Sequence, residues 1–176
     1  MSSETKHLVL LRHAQADHGA LRDVDRALSL DGRTHARIVG QQLAEAGLLP
    51  DLVLCSAAVR TRQTWQLAES GMAELGEGVE VRYLDELYQA DVGDVLEAVR
   101  AVPETTGTVL VVGHEPVTSA VAHLLAGPGS QESAVHRVRT GVSTSMAVVL
   151  DHTAPWAALE RRGCVLTSLI SGRRDG

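Results

Sequence analysis

Three short segments share one form. Leu8–Leu11 run into Arg12-His13, Leu52–Cys55 into Ser56 and Arg60, and Val109–Val112 into Gly113-His114. In each, an apolar stretch of strand length ends in residues that can bind or react. If the three stretches lie side by side in an open α/β sheet, their carboxyl ends share the edge at which such sheets bind ligands. Two arginines and two histidines gathered there suit a phosphoryl group. The planar guanidinium of Arg12 or Arg60 pairs with phosphoryl oxygens through two parallel hydrogen bonds. A neutral imidazole has a nucleophilic nitrogen, and nearby guanidinium charges oppose its protonation, so His13 can attack phosphorus at neutral pH. His114, if protonated, would donate to the oxygens in the transition state. None of this requires a metal.

Positioning these residues requires strands that alternate with helices. Val- and Leu-rich runs predict strands at about Leu8–Leu11, Leu52–Cys55, Val79–Tyr83, Val109–Val112, Met146–Leu150 and Cys164–Ile170. Their unbroken apolar character predicts burial on both faces. The clearest helix carries Val92, Val95, Leu96, Val99 and Val102 on one face and closes at Pro103. A second spans about Asp31–Ala46, capped by Ser29 or Asp31, with Gly47 beyond its end. A third starts near Pro116 and stops at Gly127, and a fourth runs from about Ala57 to Glu69. Residues 128–142 lack sustained periodicity and read as a loop with room for short structure. The fold expected is α/β: a three-layer sandwich with a mostly parallel central sheet and helices on both faces.

Composition narrows the function classes. The 176 residues fit one domain, with 44% apolar and 22% charged residues, as in soluble globular proteins. Acidic residues outnumber Lys and Arg by 22 to 16, and aromatics total 2%, so neither a polyanion-binding surface nor a base-stacking platform is expected. No nucleic-acid or membrane partner is expected. The apolar run at Leu8–Leu11 is too short for a signal segment or a span, which makes a cytoplasmic location the expectation. Cys55 and Cys164 lie in apolar runs without metal-ligand spacing and read as reduced, buried thiols.

The three segments also resemble a family. Leu10-Leu11-Arg12-His13-Ala14 is similar to the Arg-His-Gly signature of the histidine phosphatases, the phosphoglycerate mutase-like superfamily. Residues 55–64, Cys-Ser-Ala-Ala-Val-Arg-Thr-Arg-Gln-Thr, resemble its second-arginine segment, and Val112-Gly113-His114-Glu115 its second-histidine segment. Asp25-Arg26-Ala27-Leu28 with Gly32, and Glu86-Leu87-Tyr88, resemble the compact SixA-type phosphohistidine phosphatases. The resemblance implies a phosphate pocket of Arg12, His13, Arg60 and His114, no cofactor, and a phosphohistidine intermediate on His13. It also implies a phosphorylated protein substrate, such as a histidine phosphotransfer protein, with a small phosphomonoester as the alternative.

Two departures matter. Ala14 stands where many relatives have Gly, so an ordinary φ is expected there. The chain has little room for the inserted lid from which larger relatives take a general acid, and Glu86, just after the third strand, is the candidate in its place. An alcohol leaving group needs such an acid. Imidazole, with a pKa of roughly 6.5, leaves more easily, so a weak acid would bias the enzyme toward phosphohistidine. Gln15 and His18 are candidate substrate contacts near the nucleophile, and Asp17 is close enough to join them.

Taken singly, each residue has a plainer explanation. Arg12-His13 could be a surface pair at a strand end, Arg60 an exposed helix charge like Arg62, and His114 a helix cap. His7, His35, His123, His136 and His152 share no spacing, and Asp25 and Arg26 each suit a structural ion pair more than a contact with incoming substrate. Glu115 follows His114, but Thr118 breaks the zinc pattern His-Glu-x-x-His. Three other activities compete. A cysteine phosphatase would need Cys55 as a thiolate, six residues before its arginine, whereas Arg60 is five away. A mutase would return the phosphoryl group to substrate, and a binding module would need the arginines without a nucleophile. The oligomeric state is not readable.

Overall fold

Strands made of unbroken Val and Leu runs have no polar face to offer water, so both sides must be covered. A computed structural model of the chain, describing residues 4–75 and 79–173, meets that demand with one six-stranded sheet between two helical layers. The strands are β1 (Lys6–Arg12), β2 (Leu52–Ser56), β3 (Glu80–Leu84), β4 (Thr108–Gly113), β5 (Met146–His152) and β6 (Val165–Ser171). Their order is β3-β2-β4-β1-β5-β6. β3, β2, β4 and β1 pair in parallel, while β5 runs antiparallel to both of its neighbours. The expected mostly parallel α/β sandwich is what forms.

Successive strand residues point to opposite faces, and the core divides accordingly. Val9, Leu11, Val53, Cys55, Leu110 and Val112 pack under α1 (Leu30–Glu45) and α2 (Val59–Gly71), with Val39, Leu43 and Trp65. Leu8, Leu10, Leu54, Val109 and Val111 pack on the other face against α3 (Val92–Arg100) and α4 (Val117–Leu125), with Val95, Val99, Val121 and Leu125. Each such side chain fully buried contributes about 1.5–3 kcal/mol. The edge strands β3 and β6 are only partly covered, so burial on both faces holds for the interior strands alone.

Local signals end the helices where the sequence indicates. Ser29 caps α1 by accepting from the Gly32 amide, and Asp91 with Asp94 forms a reciprocal capping box on α3. α1 and α2 meet so closely that a Cβ on Gly40 would stand 2.0 Å from the Ala68 carbonyl oxygen.

The stretch 128–142, expected to be a loop with room for short structure, holds a fifth helix, α5 (Glu132–Arg139). It buries only Ala134 and Val138, and a single pair of apolar residues four apart is too short a pattern to establish a period. The polar end of the sequence, residues 172–176, reads as a solvated tail; Gly172 is buried, Arg173 is exposed, and residues 174–176 lie outside the described residues. No helix among the described residues is long and apolar enough to cross a membrane.

Candidate active site

Strand register brings the two histidines together. β1 and β4 pair in parallel to their last residues, Arg12 opposite Gly113, so His13 and His114 leave the sheet side by side at its carboxyl edge. Their ring centroids are 5.4 Å apart. On the far side of β4, Cys55 is level with Val112, which sets Ser56 beside His114. The Ser56 hydroxyl lies 2.8 Å from His114 Nε2. Arg60 follows in the first turn of α2, where the helix N-terminus adds its own attraction for an anion.

Hydrogen bonds fix the backbone that carries these groups. The Ser145 amide donates to the carbonyls of Arg12 and His13, and the His13 amide donates to Gly113. The Ala14 amide donates to Thr64 Oγ1, whose hydroxyl donates to the Arg60 carbonyl, joining the loop after β1 to α2. Ala14 is fully buried and, as expected, does not have positive φ.

The side chains are oriented as firmly. His13 Nδ1 is 2.7 Å from the Ala14 carbonyl oxygen. A carbonyl can only accept, so Nδ1 carries the proton and Nε2 of the neutral ring keeps its lone pair. Burial pushes His13 down to about 4, with Arg60 and Arg12 acting in the same direction. Burial, followed by the charges of His13 and Arg60, pushes His114 down to about 3. Arg60 donates from Nη1 to the Asp23 carbonyl and from Nη2 to the Asp23 carboxylate. Tyr88 donates to the same carboxylate, lies beneath the Arg60 guanidinium at 5.8 Å and meets His114 edge-on at 5.6 Å. The Tyr88, Arg26 and Arg60 donors hold Asp23 well below the usual carboxylate range.

His13, Arg60 and His114 are each 7–8% exposed, yet several of the pocket's polar atoms lack protein partners. Arg12 Nε, Arg60 Nε and His114 Nδ1 are buried and unpaired, three of the five such side-chain atoms among the described residues. Buried polar groups are almost always satisfied, so these atoms call for partners that the protein itself does not supply.

Other expected residues lie exposed. Glu86 is exposed on the 3-10 turn Asp85–Leu87, and no hydrogen bond ties it to a pocket side chain. Gln15 and His18 are also exposed, and Gln15 contributes its carbonyl to the start of α1, accepting from the Ser29 amide. Asp25 pairs with Arg22 on the surface, while Arg26 pairs with Asp23. Sequence reasoning missed Asp23 and the role of Tyr88. The available signal was weak: Tyr88 is one of only four large aromatic rings, and Asp23 stands two residues before the noted Asp25. Cys55 faces the α1/α2 core, where burial pushes its thiol up to about 12, so it is not a thiolate at neutral pH. Among the described residues no three His, Cys, Asp or Glu side chains cluster as a metal site requires.

A family model for the histidine phosphatase superfamily (branch 1) matches residues 8–97. The chain belongs to this superfamily. Two uncharacterised mycobacterial proteins match nearly all of it. The relative from Mycobacterium leprae (strain TN) is 34% identical over 165 residues, covering 90% of this chain and 97% of that protein. The relative from Mycobacterium tuberculosis (strain ATCC 25618 / H37Rv) is 37% identical over 156 residues, covering 88% and 94%. Among solved structures, a candidate phosphohistidine phosphatase SixA from Nakamurella multipartitia superposes with TM-score 0.84 at 36% identity, covering 96% of this chain and 97% of that one. The protein histidine phosphatase SixA complexed with tungstate shares the fold, with TM-score 0.76 at 22% identity over 94% and 97%. The chain is thus a histidine phosphatase of SixA type, with the phosphoglycerate mutase-like fold of that superfamily.

Proposed function

We propose that this histidine phosphatase hydrolyses phosphohistidine on a protein through a covalent intermediate on His13, without a metal. The observation that carries the reading is the set of buried unpaired atoms, Arg12 Nε, Arg60 Nε and His114 Nδ1, around a His13 whose Nε2 holds a lone pair. His13 Nε2 attacks phosphorus, the bond to the leaving nitrogen breaks, and that nitrogen takes up a proton from water. Water then attacks the phosphohistidine, the P–N bond breaks, and inorganic phosphate leaves with His13 neutral again. Arg12 and Arg60 hold the phosphoryl oxygens, where fixed charges lower the barrier most.

His114 can donate without being protonated twice. If the Ser56 hydroxyl donates to Nε2, the neutral ring carries its proton on Nδ1, the unpaired atom. Its depressed pKa is then no obstacle. The preference for phosphohistidine is supported by Glu86 being exposed and unattached to the pocket, since only a poor leaving group demands a strong acid. A small phosphomonoester is the competing substrate.

The test is incubation of the protein with a labelled phosphohistidine protein and with alkyl phosphates, followed by a search for acid-labile label on His13. Faster turnover of phosphohistidine, label on His13, loss of activity in His13→Ala and retention in Cys55→Ser are expected. Equal or better turnover of alkyl phosphates would overturn the substrate assignment. Full activity in His13→Ala would overturn the mechanism.

A further inference from the structure

Beside the phosphate pocket lies a second cavity, of about 380 Å³, that the reaction on His13 does not use. Arg12 belongs to both. The remaining wall includes Arg137 from the last turn of α5, Ser143 and Thr144 from the loop before β5, and Arg173 from just after β6. Three guanidinium groups therefore converge from three separate parts of a chain whose net charge is −6. A helix C-terminus attracts one basic side chain, which would account for Arg137 alone. It does not account for Arg12 and Arg173 arriving from the sheet.

The single carboxylate in the wall among the described residues, Glu115, is already engaged. It accepts from the Ser119 amide and hydroxyl and from the Val142 amide, and its charge also acts on Arg12. The opposite end of the cavity is held by Arg137 donating to Ser143 Oγ, and Arg12 donates to the Val142 carbonyl, which ties the guanidinium to this loop. The lining is thus cationic, rich in hydroxyls and continuous with Arg12.

We infer that this cavity binds a second anionic group, a carboxylate or phosphate, carried by the same substrate molecule as the phosphoryl group that His13 receives. The inference rests on the phosphatase reading of His13. Arginine suits the role because its fork pairs with either anion. The group has two possible sources: an acidic side chain near the phosphohistidine of a protein, or a second acid on a small phosphomonoester.

The experiment compares the wild type with Arg137→Gln/Arg173→Gln on three sets of substrates. p-Nitrophenyl phosphate has no second acid and reports the basal reaction. Phosphohistidine peptides with Glu or with Gln beside the phosphorylated residue test the protein source. 3-Phosphoglycerate against glycerol 3-phosphate tests the small-molecule source. The double variant is expected to lose about tenfold in kcat/KM on the acid-bearing member of one pair, through KM and not kcat, with p-nitrophenyl phosphate unchanged. The pair that responds identifies the source, and added salt should reduce the difference because the cavity is open to water. Equal losses on all substrates, or no loss on either acid-bearing one, would overturn the inference while leaving the His13 mechanism standing. A wild type that turns over none of the substrates would fail the phosphatase reading itself and with it the inference.

Discussion

The depressed pKa values of His13 and His114 make stability depend on pH in a defined direction. In the unfolded chain both imidazoles bind protons below their ordinary value of roughly 6.5. In the folded chain they resist protonation down to about 4 and about 3. Between pH 6.5 and 4 the unfolded state therefore holds more protons, so stability is full at neutral pH and falls as the solution is acidified. At pH 5 each histidine contributes a loss of about 2 kcal/mol, hence about 4 kcal/mol for the pair. That is a large part of the 5–15 kcal/mol typical of a folded domain. Urea unfolding at pH 7.5 and pH 5.0 should show the wild type losing about 4 kcal/mol more than His13→Gln/His114→Gln, because glutamine fills similar space without titrating. A saturating oxyanion such as vanadate should shrink the difference, since a bound anion favours the protonated rings. Parallel losses in wild type and double variant would show that the pocket does not hold these histidines neutral, and would remove the basis for His13 as a nucleophile through much of the acid range.

Two further perturbations test the supports of the site. Asp23→Ala removes the carboxylate shared by Arg60, Arg26 and Tyr88; with Arg60 no longer held, kcat/KM on p-nitrophenyl phosphate should fall about tenfold, at the low end for charge-assisted hydrogen bonds because Asp23 is half exposed. Thermal unfolding should barely change, and an unaltered kcat/KM would mean that Arg60 is positioned by α2 alone. Gly40→Ala forces a methyl against the Ala68 carbonyl and should destabilise the protein by about 1–3 kcal/mol in urea unfolding; a neutral effect would show that α1 and α2 can separate freely.

The shared edge was legible because Arg12, His13 and His114 stand at the ends of apolar strands, whereas Arg60 lies four residues beyond β2 in the first turn of α2. Arg12, His13 and His114 needed little more than that rule. Interior strands were equally plain, since short runs of Val and Leu favour strands covered on both faces. α5 was not legible: eight residues with two buried side chains depend on the surface they dock against, not on a period of their own.

What the sequence determined by itself was therefore the inventory and the strand ends: which groups could meet and what chemistry they would share. Tertiary structure decided the rest. The register of Arg12 opposite Gly113 set the two imidazoles side by side, and the Ala14 carbonyl selected which His13 nitrogen is free. Folding of the loop that carries Asp23 across to Arg60 and Tyr88 brought in residues 37 and 65 positions away, a juxtaposition that no local pattern encodes. Burial then lowered the histidine pKa values, because desolvation belongs to the packed pocket and to no residue in isolation.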